Sequence, residues 1–162
     1  MFNAPDADVT FRSADGVLFL VHRVNLQTHT EGFPPAEFAT EGEICPLSES
    51  SETLEVLFEF IYPRRHPALD NMPFAKLAEL AEAAEKYQVY SAMNICHLRM
   101  KEFLPAHAPE ILSYAAKHDY PIVVAEVAPI LIDMSLVDIV KLLPPHILLP
   151  WVRSTAKILT EL

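Results

Sequence analysis

Apolar positions alternate with polar ones at the start of the chain and fall at helical spacing after residue 50. Asp8-Val-Thr-Phe11 alternates, Arg12-Ser-Ala-Asp-Gly16 turns, and Val17 to Val21 is a second apolar run. Two short runs around an Asp-Gly-containing turn predict a β-hairpin. His22 to His29 fits a short helix, Ala36 to Ala39 a single turn, and Glu43-Ile-Cys-Pro-Leu47 a third strand whose Pro46 places it at an edge. Ser50 or Ser51 then caps a helix that carries Leu54, Leu57, Phe58 and Ile61 on one face and stops by Pro63. After a polar loop to Met72, Pro73 opens a helix with Leu77, Leu80, Ala81 and Ala84 inward, and another starts at Tyr90 or Ser91 using Ala92 and Cys96.

Beyond Pro105 every segment has helical character. The spacing predicts helices over Pro109–His118, Ile122–Met134 and Ser135–Leu143, with a kink or break at Pro129. Pro150 is expected to open a last helix to Leu162. Strands first and helices afterwards predict an α+β fold, with a small N-terminal sheet of about three strands under a helical shell.

Composition narrows the class. The 162 residues suffice for an ordinary domain, and 51% apolar against 21% charged residues is the balance of a globular protein. A net charge of −10 disfavours direct binding to nucleic acid, because phosphate backbones are repelled at long range. Cys45 and Cys96 lie far apart without a C-x-x-C spacing, which points to core thiols in a reducing, intracellular compartment, nucleus or cytoplasm. Met1 to Ala7 has neither the basic nor the apolar region of a signal peptide, and charges and prolines interrupt the most apolar stretch, Ile122 to Val152, so no membrane association is expected.

The constellations of enzymes are missing from the pattern. G-x-S-x-G, H-E-x-x-H, the P-loop and G-x-G-x-x-G do not occur, and 3 glycines leave little for a phosphate-cradling loop. Cys96 and His97 are adjacent, about 100° apart on a helix, and so do not converge locally on one zinc or form a dyad. No catalytic residue, metal ligand or cofactor is therefore assigned. Arg64-Arg65-His66 is the one basic cluster, read first as a solvated loop and second as a contact for an acidic partner. Phe58, Phe60, Tyr62 and Phe74 read as core; Trp151 fits either the core or a partner.

The order of these motifs resembles the BTB (POZ) family. Asp8-Val-Thr-Phe11 is similar to D-V-x-F, Phe19-Leu-Val-His22-Arg23 with Leu26 to F-x-x-H-(R/K)-x-x-L, and Leu57-Phe-Glu-Phe-Ile-Tyr62 to L-L-x-F-x-Y. Leu80 to Val89 resembles the next helix, L-A-x-K-Y-x-(I/V). The likeness implies a BTB/POZ fold over 1–104, in which His22 is a structural post held by backbone or by an acid such as Asp8, with Leu26 packing inward. Residues 105–162 resemble a BACK-like all-helical extension packed on that domain, most legibly from Pro109 to about Asp133. "EGFPPAEF" and "AEKYQVYSAM" are also similar to strings in stand-alone BTB proteins of basidiomycete-type fungi. The sequence departs from the pattern in three places. Seven residues precede Asp8, shorter than the arm that strand-exchanging dimers use; the segment after His29 is proline-rich; and Tyr62-Pro-Arg-Arg replaces Y-T-G.

The resemblance implies a non-enzymatic interaction module that self-associates or recruits partners in scaffolding or transcription-related complexes. An alternative is an adaptor or substrate receptor of a cullin-RING ubiquitin ligase. The family's cullin surface uses a hydrophobic-x-Glu element and the tyrosine that ends L-L-x-F-x-Y; Tyr62 fits, whereas Phe38 and Glu41 are one residue too far apart. The candidate partner surface is Phe38, Glu41, Tyr62, Arg64 and Arg65. On the adaptor alternative, Tyr62→Ala is expected to abolish cullin binding with thermal unfolding nearly unchanged. The related cullin-linker fold that binds F-box proteins fits less well, given the strand handover at His22-Arg23.

Overall fold

A computed structural model describes residues 2, 4–33, 43–143 and 145–160. They form two compact units, Met1–Lys101 and Glu102–Leu162. In the first, β1 (Val9–Arg12) and β2 (Leu18–Val21) pair antiparallel with Phe11 opposite Phe19, and β3 (Ile44–Pro46) runs parallel to β1. The sheet order is β2-β1-β3. Pro46 therefore lies on an edge strand, where a missing N–H costs no ladder bond on the open side. Gly16 takes φ 88 in the hairpin turn, a backbone conformation suited to a residue without Cβ.

Alternation sends Val9, Phe11, Phe19 and Val21 to one face of the sheet, where all four are buried. Helix α2 (Ser51–Glu59) brings Phe58 against that face. Phe58 lies 5.4–5.9 Å, centroid to centroid, from Phe2, Phe11, Phe19 and Phe33. Ser50 is the N-cap, its hydroxyl accepting the Thr53 N–H, and α2 closes at Phe60, ahead of Pro63. Helix α3 (Phe74–Tyr87) packs on α2 and α4 (Tyr90–Met100), burying Leu77, Leu80, Ala81 and Ala84 as the spacing predicts. The α+β class and the three-stranded sheet agree with the sequence.

Among its described residues unit two has helices and no strand: α5 (Ala108–Lys117), α6 (Pro121–Val127), α7 (Leu136–Leu142) and α8 (Pro145–Thr160). The chain leaves α6 for a 3-10 turn, Ala128–Leu131, that contains Pro129, so the expected break is present. The expected start of the last helix at Pro150 is incorrect: α8 begins at Pro145 and continues through Pro150. Pro145 suits a first helical position, because its fixed φ is helical and its absent N–H would be unpaired there anyway. Pro150 forgoes one internal bond without ending the helix. Trp151, left open between core and partner by the sequence, is buried. No described helix is long and apolar enough to cross a membrane.

Candidate functional site

The handover from β2 to α1 (Arg23–His29) is the junction the motifs single out. His22 is the N-cap residue of α1, yet its side chain makes no cap bond. Asp8, at the entrance to β1, supplies the cap: its Oδ1 accepts the Arg23 N–H at 2.7 Å, and Oδ2 lies 3.5 Å from Arg23 Nε. The His22 ring is held differently. Nδ1 stands 2.9 Å from the Tyr62 hydroxyl, which also accepts the His22 backbone N–H at 3.2 Å. On the ring's other side Nε2 is 3.3 Å from Asp6. Asp6 is held below the usual carboxylate range by its own backbone N–H first and by His22 second. Leu26 is the buried residue of α1. The structure thus gathers His22, Asp8, Leu26 and Tyr62 at one corner, with the ring on Tyr62 and Asp6 while Asp8 engages Arg23.

Tyr62 is consequently not a free surface side chain. Its ring packs 5.5 Å from Phe2 and its hydroxyl ties two His22 groups. The expectation that Tyr62→Ala spares thermal stability does not fit this geometry, since truncation removes both contacts. Arg64 is exposed, with its guanidinium 5.4 Å from the Phe2 ring centre and 5.7 Å from that of Tyr62. Arg65 is exposed on the same loop, and the His66 ring lies 5.2 Å from Phe60. Phe38 and Glu41, with the turn expected over 36–39, fall outside the described residues.

Sequence patterning missed a second hub. The Glu49 carboxylate accepts from Tyr87 Oη at 2.6 Å and from Lys86 Nζ at 2.7 Å. Burial pushes the Glu49 carboxyl up, but hydrogen bonds from Lys86, Tyr87 and Ser48 outweigh it and leave the net shift downward. Burial, and then Glu49, raise the Tyr87 phenol above its usual range. The Tyr87 ring stacks on Phe33 at 4.2 Å, and the Gly32 N–H donates to the Tyr87 carbonyl at 3.0 Å. A Cβ on Gly32 would come within 2.6–2.7 Å of the Lys86 and Tyr87 backbone, so this close approach requires glycine. No spacing rule links positions 49 and 87; the one sequence signal was the glycine at 32.

The thiols are free: Cys45 is half-buried and Cys96 buried. Burial pushes the Cys96 thiol up to about 12, which suits a core residue rather than a nucleophile. Among the described residues no group of three or more His, Cys, Asp or Glu side chains could hold a metal ion. What the corner offers chemically is a polar clamp beside an aromatic slot, with exposed guanidinium groups on the adjoining loop. No curated protein matches the chain. The BTB/POZ domain model matches residues 2–104. The chain therefore belongs to the BTB/POZ domain family, whose members generally serve as protein–protein interaction modules rather than enzymes.

Proposed function

We propose that this chain is a non-enzymatic interaction module that self-associates and recruits protein partners in scaffolding or transcription-related complexes inside the cell, in the nucleus or cytoplasm. The observation that carries the reading is the family match over residues 2–104 on a sheet-and-helix unit. The net charge of −10 supports protein partners over direct nucleic-acid contact. Residues 105–162 are proposed as a BACK-like extension to a BTB domain at 1–104, of the stand-alone kind found in basidiomycete-type fungi. His22 and Leu26, with Asp8 capping α1, are proposed as the structural post, which Tyr62 serves through its hydroxyl; Arg64 and Arg65, with Phe38 and Glu41, are proposed as the partner surface. The adaptor reading, with a BTB-type cullin as partner, loses support at Tyr62, whose hydroxyl is engaged by His22.

Light scattering on a sizing column, with the chain mixed with the N-terminal domain of a BTB-type cullin, separates the two readings. A self-associated chain that ignores the cullin domain supports the scaffold. A peak at the summed mass overturns it in favour of the adaptor.

A further inference from the structure

Phe2 and Asp6 engage the corner as two anchors of a bound peptide would. Phe2 is 7% exposed, and its ring lies 5.5–6.3 Å from those of Phe19, Phe58 and Tyr62. The Phe2 carbonyl accepts the Leu20 N–H at 2.9 Å, a main-chain bond on β2, which is an outer strand of the sheet. Four residues later Asp6 meets His22 Nε2. A main-chain bond to a sheet edge with a side chain held in a pocket is the pattern of β-strand addition, to which the Asp6–His22 pair adds a polar contact. Among the described residues of this stretch, Pro5 and Asp6 are exposed, and the Ala4 carbonyl bonds locally to the Ala7 N–H. Segments with few buried contacts open at low free-energy cost.

We propose that Phe2 and Asp6 anchor a built-in occupant of a peptide-docking site, which accepts from a partner an extended segment with an aromatic residue followed four positions later by a carboxylate. This rests on the interaction-module reading and gives the partner its chemistry. Charge complementarity favours such an occupant: Arg64 covers the slot and exposed Arg65 adjoins it, in a chain of net charge −10. An acidic segment is repelled by most of the surface and drawn to this rim.

The probe is a labelled peptide copying residues 1–9, titrated by fluorescence anisotropy against the full chain. The chain's own segment competes at high effective concentration, so Phe2→Ala, which vacates the slot, should bind the peptide at least about tenfold more tightly than the unaltered chain. Replacing the peptide's phenylalanine by alanine, or adding Arg64→Ala to the Phe2→Ala chain, should weaken binding several-fold. Asp6→Asn leaves the aromatic core intact and should give a smaller gain in affinity, so the test survives if Phe2→Ala fails to fold. Equal binding to the unaltered chain and Asp6→Asn, or equal binding of the phenylalanine-free peptide, overturns the proposal. So does a dimer that Phe2→Ala dissolves, because the occupant would then be a second copy. A chain that self-associates yet binds no peptide removes the docking site while leaving the module reading in place.

Discussion

At Tyr62 one hydroxyl serves both the backbone N–H and the ring of His22, 40 positions earlier in the chain. Tyr62→Phe leaves that N–H without its acceptor while keeping the ring in place, at a cost of about 1–3 kcal/mol. Tyr62→Ala adds the loss of packing on Phe2 and should cost more. Urea midpoints for the two variants check the order; equal midpoints for Tyr62→Phe and the unaltered chain would remove the clamp from the account. Gly32→Ala should cost roughly 1–3 kcal/mol by the same measurement, because its methyl would meet the Lys86 and Tyr87 backbone. The motif singled out His22 and Leu26, and Leu26 is buried. The anchor of the His22 ring was not legible, because periodicity places a residue on a face and says nothing of which distant hydroxyl will reach it.

Among the elements, the start of α2 is capped twice. Ser50 takes the Thr53 N–H, and Asp15 from the hairpin turn accepts the Ser51 N–H at 2.8 Å and its hydroxyl at 2.5 Å. These Ser51 bonds, with help from Ser13, hold the Asp15 carboxyl down at about 2. A carboxyl lowered in the folded chain contributes stability that is present above its unfolded value, about 3.8, and is lost as pH falls from there through about 2. Thermal unfolding of Asp15→Asn should therefore depend less steeply on pH across that window than that of the unaltered chain. Identical slopes would contradict the cap.

The far end of α3 shows a different economy. Gln88 sits in the left-handed region at φ 55 while the Val89 N–H closes on the Ala84 carbonyl at 2.9 Å. Asp119, at φ 59, follows α5 in the same way. An L side chain is strained there, so Gln88→Gly should stabilise the chain by about 0.5–1 kcal/mol, read as a higher urea midpoint. The serine cap of α2 and the break at Pro129 were legible, since each has a residue signature. The left-handed stops were not, because the usual glycine is absent. The start of α8 at Pro145 was not legible either, because Pro150 also suits a first helical position.

Across the whole molecule, the family match covers the first unit, which carries the aromatic core, the clamp and the basic loop. The thiols give an independent check on that core. Cys96 is buried with a raised pKa, whereas Cys45 is half-buried, so a thiol reagent should label Cys45 first and Cys96 only on unfolding. Two thiols reacting at one rate in the folded chain would contradict the packing. Fold class was legible at this scale because a short hairpin followed by helical spacing admits few architectures; partner identity was not, because it depends on surface geometry that no period encodes.

The proposed interaction module should associate with itself. Sedimentation equilibrium of the intact chain over a wide concentration range tests it most directly. A reversible rise from monomer to dimer mass, or a dimer throughout, is expected. A monomer at every concentration would contradict it.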